Sequence, residues 1–463
     1  MTKKEYLDTL IEQIGNRHAK QLVAQEYEDH IEDQKAAYME AGMEESEAEQ
    51  QAVRQMGNPI EAGARLNQIH RPKFPTGLFV IVLMLTGIGI VMQSIGFAAQ
   101  ENSYVNHHYL GNTILYNIVG LLIMVAILFF DYNYLVKYAY VIYSAYVILF
   151  AGLGIGAYII SGGIDYASGH VCNYFLLLLY PMILAGIIYR NKGRGMKGLL
   201  SCIGLSLLPL ALEFYIWQSA FSGGVVEYLI VTFAILLFAV WKKVFGKKRK
   251  GMFTLLLVPA VILLASPCVI VTTNPGNVLA EYQLVRLRFL LGMVKNPEEY
   301  AASAGYIVMQ LRSVMGNLSL WGNHALPANI PTGDMYSTFI VTGIFSWFGI
   351  VVGCIVVGLL FFFCFRALQL SIRQKNRIGM LVGMACTAGI LLRSLVCVAI
   401  NFGFGLYYTS SVPFLSYGKL ATIVNALYVG LILCVCRNEA VMPEKQPEQL
   451  RRQKKESSHE CSV

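Results

Sequence analysis

The sequence predicts an all-α, polytopic membrane protein of ten transmembrane helices, preceded by a small helical domain. Three observations predict it. Only 14% of residues are charged while 56% are hydrophobic, where a soluble chain carries about 25% charged residues. Ten apolar runs each approach the ~20 residues that a helix needs to cross the hydrocarbon core. The charge is also partitioned: residues 1–73 hold 9 Lys/Arg and 14 Asp/Glu, net −5, and the remainder hold 27 and 14, net +13. An acidic, polar head and a basic membrane body follow, with no feature that points to nucleic acid.

The head, residues 1–70, reads as several short amphipathic helices. Tyr6, Leu7, Leu10, Ile11 and Ile14 recur at helical spacing, as do Leu22, Val23, Tyr27 and Ile31. Gly42 and Asn58-Pro59 punctuate them. Glu26 and His30 share a helix face, which reads as a solvated ion-pair face. No secretory signal is read ahead of the first span, because this stretch is polar. The run EYEDHIEDQ and the following GMEESEAEQQAVRQMGNPIEAGARLN resemble the small helical prefix domain found on some bacterial membrane proteins. That resemblance implies a cytoplasmic docking or regulatory module with an unidentified partner.

The membrane body covers 74–436, with apolar runs at 76–98, 112–130, 137–160, 172–189, 198–215, 225–241, 252–271, 338–365, 378–400 and 417–436. Segments 190–197, 241–250 and 366–377 hold four, six and four Lys/Arg, and the tail 437–463 holds six. Segments 99–111, 161–171, 216–224 and 401–416 hold none. The positive-inside rule therefore places both termini in the cytoplasm, and an even number of spans agrees. The outer loop 272–337 is far longer than its neighbours and carries Arg286, Arg288, Lys295 and Arg312. Loops of this length are usually functional or disordered. Its stretch AGYIVMQLRSVMG is amphipathic, with Ile307, Val308, Leu311 and Met315 on one side, and suits the outer membrane interface.

Walker loops, zinc spacings and Ser-His-Asp arrangements are absent from the sequence. Most of the ten cysteines lie in apolar runs, which argues against a disulfide framework. Cys434 and Cys436 read as apolar filler. Gly152, Gly154 and Gly156 alternate inside a span and read as close helix packing. Arg393 lies near the middle of the ninth run, where insertion costs roughly 2.5–3.5 kcal/mol. It must pair inside the bundle or line a wet cavity, and a structural ion pair and a ligand phosphate both satisfy that need. Glu213, near the outer end of the fifth run, is expected to reach water, and Asp131 sits at an inner edge. A buried arginine and a basic outer loop suit an anionic, lipid-linked substrate, because arginine offers a fixed fork of donors to phosphate.

Residues 413–418, Pro-Phe-Leu-Ser-Tyr-Gly, carry a family resemblance. The chain resembles the SEDS proteins, the FtsW/RodA/SpoVE group of cell-cycle and shape proteins, which write Pro-Phe-Leu/Ile-Ser-Tyr-Gly-Gly-Ser before their last span. Asn401 matches an upstream family asparagine, and Asp131-Tyr132 with LVKYAYVIY resembles the start of the third span. YQLVRLRFL, Pro297, Gly305-Tyr306, Gln310, Gly316 and Trp321-Gly322 follow the family's order in the large loop. The resemblance covers about 72–437. It implies ten spans in a bacterial plasma membrane and a class B penicillin-binding protein as partner. The implied activity is polymerisation of lipid II at the outer face during division, elongation or sporulation.

Three departures qualify that implication. Aligning Ser346-Trp347-Phe348-Gly349 on the family's Glu-Glu-Leu-Gly puts Thr338 where the family keeps its essential acid, and a hydroxyl cannot supply a carboxylate. Asp334 is four residues earlier, one turn or about 6 Å along a continuing helix, or it is a loop aspartate ahead of a helix start. The family's Gln-Pro-Ser-Glu is missing, with SGHVCNYF in its region, and Lys419-Leu420 replaces Gly-Ser. In an active version Asp334 is the base beside Thr338, and Arg286, Arg288 or Arg393 hold pyrophosphate. Gln310 and Tyr417 position sugars, and Asn401, Ser416 and Lys419 complete the substrate-binding set. No resident cofactor is read from the residues, and a divalent cation stays open. A non-catalytic precursor-binding or scaffold relative and a lipid-linked precursor transporter are the other readings.

Overall fold

The computed structural model describes residues 1–15, 17–69, 74–98, 103–160, 166–217, 223–246, 249–273, 281–300, 303, 305–323, 335–404 and 411–438. All regular elements among them are helical. The chain divides into two compact units, one holding Met1–Pro75 and Gln374–Arg377, the other Thr76–Arg373 and Ile378–Val435.

The first unit contains α1 (Lys3–Glu12), α2 (Arg17–Glu40), α3 (Glu45–Gln55) and α4 (Pro59–Ile69). Thr2 and Glu5 close a capping box on α1. Gly42, at φ 91°, turns the chain from α2 into α3. Asn58 Oδ1 accepts from the Ile60 amide, and Pro59 takes the first helical position, where a missing N–H costs nothing. Tyr6, Leu10, Ile14, Val23, Ile31, Ala52 and Val53 form the core. Glu26 and His30 lie exposed, as expected. Lys3 Nζ sits 2.9 Å from Glu28 and 2.6 Å from Glu32, tying α1 to α2.

The second unit is the helical bundle. Its long helices are α5 (Thr76–Ala98), α6 (Ser103–Leu128), α8 (Ala139–Ile160), α9 (Tyr166–Arg190), α10 (Gly195–Trp217), α11 (Gly223–Trp241) and α12 (Lys250–Thr273). A single turn, α7 (Tyr134–Lys137), precedes α8, and Asp131 starts it by accepting from the Asn133 amide at 2.9 Å. The large loop is structured where described, with α13 (Glu281–Leu290), a 3-10 turn (Pro297–Tyr300) and α14 (Tyr306–Gly316). Three long helices follow: α15 (Ile340–Arg373), α16 (Arg377–Asn401) and α17 (Lys419–Arg437). Among the described residues nine helices are long and apolar enough to cross a membrane. The seventh of the ten runs falls in α12, whose Lys250–Val261 part is a shorter apolar helix. The chain is a multi-pass membrane protein.

Three expectations change. The apolar side of α14 does not face lipid. Val308 is buried against Val285 and Phe289, and Leu311 against Met335, Tyr336, Phe339 and Ile400. Of the three alternating glycines only Gly154 permits a close approach, since Gly152 and Gly156 have open space where a Cβ would stand. Glu213 is only 1% exposed, because α10 turns it into the bundle. Among the described residues no disulfide joins the seven cysteines whose surroundings are described.

The helix α15 is broken. Gly349 stands at φ 87°, ψ 177°, a conformation essentially reserved for glycine. The loop at Ser319–Asn323 runs against this break. The Ile350 amide donates to Ser319 O at 3.1 Å, Val351 to Leu320 O at 3.3 Å, and Asn323 to Ser346 O at 3.4 Å. The loop thus supplies hydrogen-bond partners to a helix whose own ladder is interrupted, as an apolar surrounding demands.

Two predictions follow from these contacts. Gly349→Ala places a methyl on the Gly322 amide and in a forbidden conformation, so it should cost at least ~1–3 kcal/mol. Gly358→Ala, in the same helix with open space around it, should be neutral or stabilising. Thermal unfolding of the purified chain compares the two. In the head, the hydrogen bond from Lys3 holds the Glu32 carboxyl below its usual range. Burial disfavours the Lys3 ammonium, but hydrogen bonds to Glu32 and Glu28 outweigh it and raise its pKa. The Glu32 contribution is therefore complete above the ordinary carboxylate range, near pH 4, and disappears as pH falls through the lowered value. The Lys3 contribution is lost only as pH rises through its raised value. Protection factors of the α1 amides, referenced to their intrinsic exchange rates at each pH, should fall on acidification, and Glu32→Gln should flatten that response.

Candidate functional site

The segment 411–418 is irregular backbone beside the last long helix, so its polar groups need protein partners. They have them. The Ser416 hydroxyl accepts from the Val412 amide at 2.8 Å and donates to Ser337 O. The Tyr417 amide donates to Tyr336 O at 2.8 Å. Gln93 of α5 donates from Nε2 to Leu415 O at 2.7 Å and accepts from the Thr113 hydroxyl of α6 at 3.2 Å. Phe414 stands at φ 70°, rare for a bulky residue, and its ring meets Phe363 edge-on at 5.3 Å. A Cβ on Gly89 of α5 would lie 2.6 Å from Phe414 O, so only glycine admits this approach.

Asn401, the last residue of α16, joins the same junction. Its Nδ2 donates to Thr338 O and Cys397 O, each at 2.8 Å, and its Oδ1 accepts from the Thr342 amide and hydroxyl, each at 2.9 Å. Both donors and both lone pairs are thereby used, which makes Asn401 a positioning residue for 338–342. Thr338 is 1% exposed, and its hydroxyl has no hydrogen-bond partner.

The structure therefore brings Thr338, Asn401, Ser416 and Tyr417 together. Gln310 is half-buried on α14, whose next residue, Leu311, packs on Met335, Tyr336 and Phe339. Arg286 and Arg288 lie on α13, Arg286 with its guanidinium 5.3 Å from the Tyr282 ring. Lys419 is exposed on the first turn of α17. Asp334 falls outside the described residues. Arg312, noted in the sequence only as loop charge, connects the loop helices to α16. It donates from Nε to Gly403 O at 3.1 Å, and its guanidinium lies 5.8 and 5.7 Å from the Phe289 and Phe404 rings.

Arg393 sits eight residues before Asn401, about 12 Å along α16. It is 1% exposed and paired, which is one of the two outcomes its position required. Its Nη1 donates to Asn425 Oδ1 at 2.9 Å, its Nε lies 4.0 Å from Glu227 Oε2, and its guanidinium carbon is 6.0 Å from the Tyr428 ring. Tyr174 donates to the same Glu227 oxygen at 3.4 Å. Nε and Nη2 of Arg393 close no hydrogen bond. Glu227, Asn425 and Tyr174 had no sequence signal of their own, since one polar residue in an apolar run does not reveal which way it faces. A cleft between α5, α6 and α17 is lined by Thr86, Asn117, Phe414, Ser416, Thr422 and Asn425 among others, and so opens beside both groups. Among the described residues no three His, Cys, Asp or Glu side chains converge as metal ligands.

A family model described as "Cell cycle protein" (FTSW_RODA_SPOVE) matches residues 76–440. Two curated proteins called "Probable peptidoglycan glycosyltransferase FtsW" are similar. One, from Enterococcus hirae, is 26% identical over 167 residues, 35% of this chain and 42% of that protein. The chain thus spans less than half of that relative. The other, from Trichlorobacter lovleyi, is 20% identical over 323 residues, 64% of this chain and 84% of its own. The fold is similar to a chain in "Structural coordination of polymerization and crosslinking by a peptidoglycan synthase complex", with TM-score 0.58 and 17% identity over 79% of this chain and 98% of that one. It is also similar to a variant of the Thermus thermophilus rod shape determining protein RodA, with TM-score 0.50 and 16% identity over 79% and 98%.

Pairing inside the bundle makes the single substitutions costly. Glu227→Gln leaves the Arg393 charge without its counter-charge and should destabilise by ~3–5 kcal/mol. Combining it with Arg393→Met should recover much of that loss. A double-mutant cycle on thermal midpoints measures the coupling.

Proposed function

The chain belongs to the FTSW_RODA_SPOVE family of cell cycle proteins, and on that premise we propose that it acts in peptidoglycan synthesis as a glycosyltransferase on lipid II at the outer membrane face. The observation that carries this reading is the junction of 335–342 with 411–418. Buried hydrogen bonds from Asn401, Ser416 and Gln93 fix the family's Pro-Phe-Leu-Ser-Tyr-Gly segment against the strand of chain that leads from Asp334. Such a fixed constellation suits a reaction that depends on placing donor and acceptor sugars.

In this reading Asp334 removes the proton from the acceptor sugar hydroxyl. That oxygen attacks the donor's anomeric carbon, the glycosidic bond forms, and the bond to undecaprenyl pyrophosphate breaks. The Thr338 hydroxyl, buried and without a partner, offers a hydrogen bond to the sugar or to the Asp334 carboxylate. Arg286 and Arg288 hold the pyrophosphate, with Lys419 as a further cation. Gln310 and Tyr417 orient the sugars, while Ser416 and Asn401 hold the segments in register. Arg393 keeps two N–H groups open and serves the deeper end of the carrier. A divalent cation on the pyrophosphate fits the same charge logic. The family's class B penicillin-binding protein is the partner. Both termini, with the head and tail, face the cytoplasm, as the Lys/Arg distribution requires.

One observation favours a second reading, a precursor-binding or scaffold protein without catalysis. Thr338, not a carboxylate, stands at the aligned position, and its buried hydroxyl closes no hydrogen bond.

Polymerisation of lipid II by the purified chain, with and without its partner, separates the two readings. Glycan strands should form, and Asp334→Asn should lower the rate by at least ~10²-fold, the scale of a general base. Thr338→Ala should lower it less. No strands from the native chain with its partner would leave the binding reading. Full activity in Asp334→Asn would remove the base assignment alone.

A further inference from the structure

The end of α16 carries Asn401, and part of what holds that end comes from the large outer loop. The turn after the helix closes on itself. The Phe402 amide donates to Val398 O at 3.1 Å, Gly403 to Ile400 O at 2.9 Å and Phe404 to Ala399 O at 2.8 Å. With Gly403 at φ 73° this is a left-handed glycine cap. It satisfies the carbonyls of 398–400 and leaves those of Asn401 and Gly403 to groups on other elements. The Thr342 hydroxyl of α15 donates to Asn401 O at 3.2 Å. Arg312 of α14 donates from Nε to Gly403 O at 3.1 Å.

Arg312 lies at the surface, yet more than one contact holds it there. Its guanidinium is 5.8 Å from the Phe289 ring of α13 and 5.7 Å from the Phe404 ring that follows the cap. Phe289 is buried among Val285 and Val308, so one of the two rings is fixed in the core of the loop. The backbones are close as well. A Cβ on Gly403 would stand 2.6 Å from Arg312 Cγ and 3.2 Å from Val308 O. A cation also suits this end of a helix, where the carbonyl ends of the peptide dipoles gather. The planar guanidinium can lie against rings while Nε donates in its own plane, which an ammonium cannot do.

Leu311, the neighbour of Arg312, packs on Met335, Tyr336, Phe339 and Ile400. Apolar packing is non-directional, so it brings α14 to the junction without fixing the orientation of the α16 end. The directional contact is Arg312. Two residues before Gly403, the Asn401 side chain bonds Cys397 O of its own helix and Thr338 O across the junction. Its Oδ1 accepts from the Thr342 amide at 2.9 Å. That amide belongs to the first turn of α15, which lacks acceptors inside its own helix, so Asn401 caps α15 from outside. A shift of the α16 end is therefore passed to Thr338 and Thr342 through one side chain.

We propose that Arg312 is a positioning residue. From the loop it caps α16, and through Asn401 it holds 338–342 in place. The loop helices α13 and α14 are thereby a lever on the junction, and lifting them off the α16 end loosens Thr338 and Thr342. The effect of Arg312 on rate rests on the reading of the junction as the place of sugar transfer, whereas its hold on Thr342 stands on the contacts alone.

Two measurements on the full-length chain test this, and they fail separately. One is the protection factor of the Thr342 amide. The other is lipid II polymerisation with the partner, with kcat and KM resolved. Arg312→Leu should lower Thr342 protection about tenfold, and should lower kcat about tenfold or more with KM within about twofold. Arg312→Lys keeps a cation near the rings and should recover part of both losses. Lys295→Ala, exposed on the same loop, should change neither. Native Thr342 protection in Arg312→Leu would overturn the proposal. So would lost protection with native kcat, a raised KM with native kcat, or an equal loss in Lys295→Ala. If the native chain forms no glycan, the enzymatic reading fails and Thr342 protection alone decides on Arg312. If Arg312→Leu does not fold, Phe404→Leu, which removes one ring and keeps the hydrogen bond, takes its place. It should lower Thr342 protection about threefold, and native protection there would sink the idea.

Discussion

Irregular backbone buried within protein has no water to satisfy it, so its amides and carbonyls must find protein partners. That constraint organises this bundle. The segment 411–418 leaves helical geometry, and Gln93, Ser416 and the backbone of 336–337 answer its polar groups. The break at Gly349 leaves helical geometry as well, and the loop at 319–323 answers it. The Asn401 side chain then ties the end of α16 to residues 338–342 at the start of α15 through three hydrogen bonds. At both of these described departures from the helix the chain is pinned, and the candidate site includes the first of them.

The ionisable groups obey the same rule with higher stakes. Arg393 brings a charge to the middle of the bundle, and Glu227, Asn425 and Tyr428 meet it from two other helices. Truncating one partner of such a pair costs more than the pair itself gains. The pair therefore fixes how α11, α16 and α17 rotate about their axes more than it adds stability.

Much of the architecture was legible in the sequence, because hydropathy and helix punctuation are local. The first run, 76–98, coincides with α5, and Gly42 and Asn58-Pro59 fall at the turns of the head. Thr338, Asn401, Ser416 and Tyr417 were legible only through the family pattern, and they do meet. Gln93, Thr113, Glu227 and Asn425 were not legible. A single polar residue in an apolar run looks the same whether it faces lipid or a neighbour, and the answer depends on helix rotation, which is set by contacts hundreds of residues away. Glu213 was misjudged for that reason, since distance from a helix end says nothing about the face. Gly154 differed from Gly152 and Gly156 only through the side chains opposite it.

The bond between Gln93 and Leu415 spans 322 residues of sequence. A ribosome delivers the first helix long before the last, so for most of synthesis Gln93 has only Thr113 of α6 to bond with. The junction is then absent, and the cleft beside Gly89 lacks the segment that fills it. The segment 411–418 completes the architecture that the first helices prepare.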